Sequence, residues 1–203
     1  MNIPNKLTVA RMLAIPFFIA CFFLPDWVAF TISIGGEAEP VQILTKYLIA
    51  GGLFILAYVT DTLDGRIARK YNMVTVFGKL MDPIADKLLT AACMIMLIGR
   101  DLMSVCDFLM PVFTVIVIAR EFAISGMRLV AASRGKVMAA GVLGKIKTTL
   151  QSIALPMVLI AGPFFRAIRV PADFILLAAS VVMTIWSGLD YIIRNREIFS
   201  GTK

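Results

Sequence analysis

The chain alternates long apolar runs with short polar ones. Near-continuous apolar windows cover Leu7 to Phe30, Gln42 to Thr60, Leu88 to Gly99 with its flanks, Phe108 to Ala119 with its flanks, Thr148 to Phe165 and Phe174 to Leu189. A hydrocarbon core about 30 Å thick takes roughly 20 helical residues, so the pattern predicts six transmembrane helices and little else. They should be helices because lipid offers no partner to unpaired backbone N–H and C=O groups. The first window is too long, and lacks a small-residue cleavage site, to read as a signal peptide. Asp26-Trp27 and the run Gly35 to Pro40 read as an external interface and turn. Gly51-Gly52 would let another helix approach closely, and Trp186 with Tyr191 would form an aromatic interface belt.

Composition supports the same class. Hydrophobic residues make up 60% of the 203 and mean hydropathy is +0.89, which excludes an ordinary soluble domain. The predicted architecture is an all-α integral membrane protein, one domain over 1–203, with six transmembrane helices. Of the 20 lysines and arginines, all but Lys46, Arg100, Arg166 and Arg169 fall on one side when the N-terminus is placed inside. The positive-inside rule then puts both termini, and the polar cavity, in the cytoplasm, as in a bacterial-type inner membrane. For Arg194, Arg196 and Lys203, orientation and contact with anionic headgroups are sufficient roles. The pI of about 9.6 is read as topology plus an anionic ligand, with no nucleic-acid module in sight. There is no histidine, which excludes a Ser-His or Cys-His pair and His-ligated zinc or haem and leaves carboxylates as bases. Cys21, Cys93 and Cys106 lack metal-ligand spacing and are expected in the core.

One polar stretch carries the chemistry. Asp61, Asp64, Gly65 and Ala68 stand at i, i+3, i+4 and i+7 and share a face if one helix runs through Lys70. Gly78, Asp82 and Asp86 follow at two steps of four, each about 40° round from the last. Two acidic edges can thus face each other. Four carboxylates at a membrane boundary repel one another unless cations bridge them, and hard oxygen ligands select Mg²⁺, Mn²⁺ or Ca²⁺. Asp82-Pro83 has a second reading as a helix N-cap followed by proline. Asp86, one turn deeper and followed by Leu88-Leu89, has no such reading, since a carboxylate at the edge of a span is costly unless it works or is paired.

Further on, Arg120-Glu121 comes too early in a helix to be ordinary loop. Gly144-Lys145-Ile-Lys147-Thr148-Thr149 opens the fifth window with cations and hydroxyls at a helix N-terminus, a seat suited to phosphate. Lysines snorkelling to anchor the span are the alternative.

The spacing Asp61-x-x-Asp64-Gly65-x-x-Ala68-Arg69, eight residues, Gly78-x-x-x-Asp82-x-x-x-Asp86 resembles the complete motif of the CDP-alcohol phosphotransferase family, in which an alcohol displaces CMP from a cytidine diphosphate-linked donor. The resemblance implies a site for two divalent ions, Mg²⁺ or Mn²⁺, made by Asp61, Asp64, Asp82 and Asp86, with Asp86 also the general base. It implies donor binding by Asp64, Gly65, Ala68, Arg69 and Gly78, and by Asn5 and Thr8 of the opening Pro4-Asn5-x-Leu7-Thr8-x-x-Arg11. A homodimer among membrane lipids is also implied.

Within that family, Arg120-Glu121 with Ser125 and Arg128, and Gly144-Lys145-x-Lys147-Thr148-Thr149-x-Gln151, are similar to the phosphatidylglycerophosphate synthases. That similarity implies CDP-diacylglycerol as donor and sn-glycerol 3-phosphate as acceptor, with Arg120, Lys145, Lys147 and Arg128 on the acceptor phosphate. Another acceptor (inositol phosphate, serine or phosphatidylglycerol) is the runner-up. A cation channel or transporter is the alternative of a different class, opposed by spans with almost no polar residues through the midplane.

Overall fold

A computed structural model describes residues 3–32, 40–70, 76–133 and 141–195, and within them the side chains of 9–32, 40–61, 84–85, 87–132 and 141–195. The order is α1 (Ile3–Cys21), β1 (Val28–Ile32), β2 (Val41–Leu44), α2 (Thr45–Lys70), α3 (Val76–Leu97), a 3-10 turn (Asp107–Leu109), α4 (Met110–Ser133), α5 (Val142–Ala167) and α6 (Ala172–Arg194). Three helical stretches, Asp107–Ala132, Val142–Ala167 and Ala172–Arg194, are long and apolar enough to cross a membrane, as an integral membrane protein requires. Val9–Cys21 and Lys87–Leu97 are shorter apolar helices. Pro16, Pro156 and Pro163 sit inside helices, where neighbouring helices can re-satisfy the backbone groups they free.

The protein is mostly helical but not wholly so. Val41–Leu44, expected at the start of the second span, instead pairs antiparallel with Val28–Ile32, matching Val28 to Leu44 and Ile32 to Val41 around an irregularity near Phe30. Val-Ala-Phe-Thr-Ile is rich in β-branched and aromatic residues, and Pro40 precedes the second strand, so an apolar window that looks helical by hydropathy pairs as a hairpin. Trp27, Val28 and Phe30 are exposed along it.

α5 and α6 form the most extensive helix pair; α1 lies on α2 and α3, α2 on α5, and α4 on α6 and α3. Their core begins with aromatic packing between α1 and α2, where the Phe18 ring lies 5.3 Å from Phe22 and 6.3 Å from Phe54, and Phe22 lies 5.8 Å from Tyr47. Met94, Leu97, Leu155, Val158 and Leu177 continue it. Of the two glycines expected to permit close approach, Gly51 does so, since a Cβ there would fall 2.5 Å from Ile160 Cγ1 on α5; Gly52 faces open space. Cys21 and Cys93 are buried as expected, but Cys106 is exposed. It lies in the turn before α4 at φ 55°, outside any packed face.

The end carrying the hairpin is stapled by closed polar pairs. Lys46 donates to Asp26, and Arg166 bonds both Asp101 carboxylate oxygens at 2.9 and 3.0 Å. Asp173, wholly buried in the first turn of α6, accepts from the backbone N–H and the hydroxyl of Ser104. The loop is thereby drawn so close to α5 that a Cβ on Gly162 would sit 2.0 Å from the Leu102 carbonyl oxygen. Gly162→Ala should therefore destabilise the bundle by about 1–3 kcal/mol through overpacking, read as a lower melting midpoint in detergent, whereas Gly52→Ala should leave that midpoint nearly unchanged.

Candidate active site

α2 runs unbroken through Asp61, Asp64, Gly65, Ala68 and Arg69, and α3 through Gly78, Asp82 and Asp86, so the helical spacing assumed for the acidic motif is observed. Because α3 begins at Val76, Asp82 lies well inside the helix and is not its N-cap. Asp61 is the motif carboxylate whose side chain is described. It forms an ion pair with Arg11 of α1, which is 4% exposed, while its own side chain is one-third exposed. The pair lines a cleft with Tyr58, Thr90, Thr148 and Gln151. The side chains of Asn5, Thr8, Asp64, Gly65, Ala68, Arg69, Gly78, Asp82 and Asp86 lie outside the described residues. Among the described residues no three His, Cys, Asp or Glu side chains gather. The donor chemistry nevertheless fits a divalent ion, because carboxylate oxygens are the ligands Mg²⁺ and Mn²⁺ take and Asp61, paired with Arg11, lines the cleft.

A second polar centre lies where α3, α4 and α5 meet. Glu121, mostly buried on α4, accepts from Lys147 of α5 and from Arg120 Nη1 at 2.9 Å, both on Oε1, while Lys87 of α3 stands 3.7 Å from Oε2. Lys87 also donates to Ser125 Oγ, whose hydroxyl bonds the Glu121 carbonyl oxygen at 2.6 Å. Arg120 reaches α6 as well, donating from Nη2 to Ser187 Oγ at 3.1 Å. Its Nε is buried with no hydrogen-bond partner among the described residues. Arg120 fits closely against α6 because its neighbour there is small: a Cβ on Gly188 would come 3.1 Å from Arg120 Cγ, whereas one on Gly144 would make an ordinary contact 3.8 Å from Nη2.

The four cations expected on one acceptor phosphate part company here. Arg120 and Lys147 converge, and Lys147, at 5% exposed, is no snorkelling anchor. Lys145 is exposed, two residues and so about 200° round the helix from Lys147. Arg128 lies two turns beyond Arg120, donating from Nε to Tyr191 Oη at 3.1 Å with its guanidinium over the ring. Tyr191 is consequently buried, not part of an interface belt. The hydroxyls of Thr148 and Thr149 turn back to the carbonyls of Gly144 and Lys145, satisfying their own helix.

The two centres adjoin. On α5, Lys147 meets Glu121 while Thr148 and Gln151 line the Asp61 cleft; on α3, Lys87 approaches Glu121 while Thr90 lines the same cleft. The cleft lined by Asp61 and Arg11 thus borders a cation-rich centre.

The sequence model of one family, CDP-alcohol phosphatidyltransferase, matches residues 1–186. The chain belongs to that family. It is 43% identical over 198 residues to the CDP-diacylglycerol–glycerol-3-phosphate 3-phosphatidyltransferase of Bacillus subtilis, covering 97% of this chain and 96% of that one. Proteins of the same name in Rickettsia felis and Haemophilus influenzae are each 34% identical, over 98% and 94% of this chain and 97% and 91% of theirs.

In this CDP-alcohol phosphatidyltransferase the interior is more polar than the sequence suggested. Thr114, Gln151, Ser180, Thr184 and Ser187 are all buried within the helices. Ser180, Thr184 and Ser187 each donate to a carbonyl of α6 itself, so they form no open pathway for ions. Sequence reasoning did not place Glu121, Lys87 or Ser187 in a site. The available clue was a carboxylate beside Arg120 in the middle of an apolar run. Removing the Ser187 hydroxyl takes a partner from a buried guanidinium, so Ser187→Ala should cost about 1–3 kcal/mol in thermal or denaturant unfolding.

Proposed function

We propose that this chain transfers the phosphatidyl group of CDP-diacylglycerol to sn-glycerol 3-phosphate, forming phosphatidylglycerol phosphate and CMP. The observation that carries this reading is the charge imbalance at Glu121. Among the described residues three cations, Arg120, Lys147 and Lys87, surround one carboxylate. Within the described residues the centre's cations outnumber its carboxylate, and Arg120 Nε is a buried donor without a partner there. A phosphate monoester, close to a dianion at neutral pH, supplies both the charge and the oxygens. An acceptor without a phosphate, such as net-neutral serine, would bring no dianion to these cations. The similarity to relatives named for glycerol-3-phosphate supports the same acceptor.

Asp61, Asp64, Asp82 and Asp86 would hold two divalent ions, Mg²⁺ or Mn²⁺, which when bound neutralise the charge of the donor's diphosphate. Asp64, Gly65, Ala68, Arg69 and Gly78, with Asn5 and Thr8, would seat that donor. Asp86 takes the proton of the acceptor's 1-hydroxyl as its oxygen attacks the lipid-linked phosphorus; the bond from that phosphorus to the CMP oxygen breaks and CMP leaves with the electron pair. On this reading six spans would hold the site at the cytoplasmic face of a bacterial-type inner membrane, both termini inside, in a homodimer. Supporting that orientation, Lys46, Arg100, Arg166 and Arg169 all lie at the helix ends that carry the hairpin and the Asp173 staple, opposite Glu121 and Asp61.

Purified protein given CDP-diacylglycerol and labelled glycerol phosphate should form a lipid phosphate and CMP, whereas inositol phosphate and serine should yield no product; a serine or inositol lipid would overturn the acceptor. EDTA should stop the reaction and Mg²⁺ or Mn²⁺ restore it. Asp86→Asn should lower turnover by about 10²–10⁴-fold with the protein still inserted, and substantial residual CMP release would remove Asp86 as base. Lys147→Ala should raise the KM for glycerol phosphate about tenfold and leave that for the CDP-lipid nearly unchanged.

A further inference from the structure

Glu121 lies in the acceptor centre, yet a carboxylate is the wrong charge for binding a phosphate. Its electrostatic effect alone is to repel the acceptor. The geometry around it accounts for its presence. Its Oε1 takes both the Lys147 ammonium and Arg120 Nη1, and its Oε2 faces Lys87. The three cations come from three helices, and one of them, Lys87, directly follows Asp86 in α3. Left without a common partner, three cations this close would splay apart, each on a flexible or long side chain with several rotamers to explore. A second tether holds Lys87 through Ser125, and a third holds Arg120 through Ser187.

We infer that Glu121 is the positioning residue of the acceptor site, gathering Arg120, Lys147 and Lys87 into one fixed constellation for a phosphate monoester. This inference rests on the proposed acceptor. It makes a prediction opposite in sign to that of a simple counter-charge. If Glu121 only offsets positive charge, Glu121→Gln strengthens the field on a dianion and the KM for glycerol phosphate falls. As a positioning residue, Glu121 organises cations that bind poorly once scattered, and the KM rises.

Steady-state kinetics in detergent micelles should separate the two. Glu121→Gln should raise the KM for glycerol phosphate at least about tenfold while the KM for CDP-diacylglycerol stays within about twofold of wild type. Glu121→Asp, which keeps the charge on a side chain one methylene shorter, should fall between Glu121→Gln and wild type. An unchanged or lowered acceptor KM in Glu121→Gln, or equal changes in both substrates, overturns the role. If Glu121→Gln does not survive purification, Glu121→Asp decides: an acceptor KM equal to wild type overturns it. A wild-type protein that makes no lipid phosphate from glycerol phosphate overturns the acceptor reading and this inference together, whereas an active wild type with an indifferent Glu121→Gln overturns this inference alone.

Discussion

The structure depends on one mostly buried carboxylate shared among cations from different helices. Ionised groups within an apolar bundle are tolerated only when paired and hydrogen-bonded, because each carries a desolvation penalty of several kcal/mol. Glu121 meets that requirement for Lys147, Arg120 and Lys87 together, and so links α3, α4 and α5. Arg120 extends the link to α6 through Ser187. Hydrophobic packing gives little direction to helices already bathed in lipid, so polar contacts of this kind do much to set which faces meet.

The two ends of the bundle solve the same problem differently. At the hairpin end charges are closed off in pairs, Lys46 with Asp26 and Arg166 with Asp101, and the buried Asp173 is satisfied by Ser104. Around Glu121 the described cations outnumber the carboxylate three to one. The first arrangement is the chemistry of a staple, while the second leaves cations in excess among the described residues.

Much of this was legible in the sequence where periodicity carried the information. Helices α1 to α6 follow the apolar windows, and the regular steps between Asp61 and Asp86 survive because α2 and α3 run unbroken through them. Hydropathy could not distinguish the Val41–Leu44 strand from the start of a helix, since both are apolar and only pairing with Val28–Ile32 decides. Charge alone likewise grouped Lys145 and Arg128 with Lys147 and Arg120. Helix phase turns Lys145 outward, and Tyr191 takes Arg128 two turns away. Glu121 was hidden for the opposite reason: a search for groups that attract phosphate passes over a residue that repels it.

Space also matters as much as charge around Glu121. Arg120 packs beside Gly144 of α5 and Gly188 of α6, and at Gly188 only 3.1 Å would separate a Cβ from Arg120 Cγ. A guanidinium there can meet Glu121 on its own helix and Ser187 on the next, which the compact ammonium of a lysine could not do with one planar fork. Those glycines sit on the very helices whose neighbouring residues, Lys147 and Ser187, complete the centre. The close approach of three helices and the convergence of their polar groups are therefore one geometric event: a side chain at Gly188 would press on Arg120 Cγ, and with it on the partner that Glu121 shares with α6.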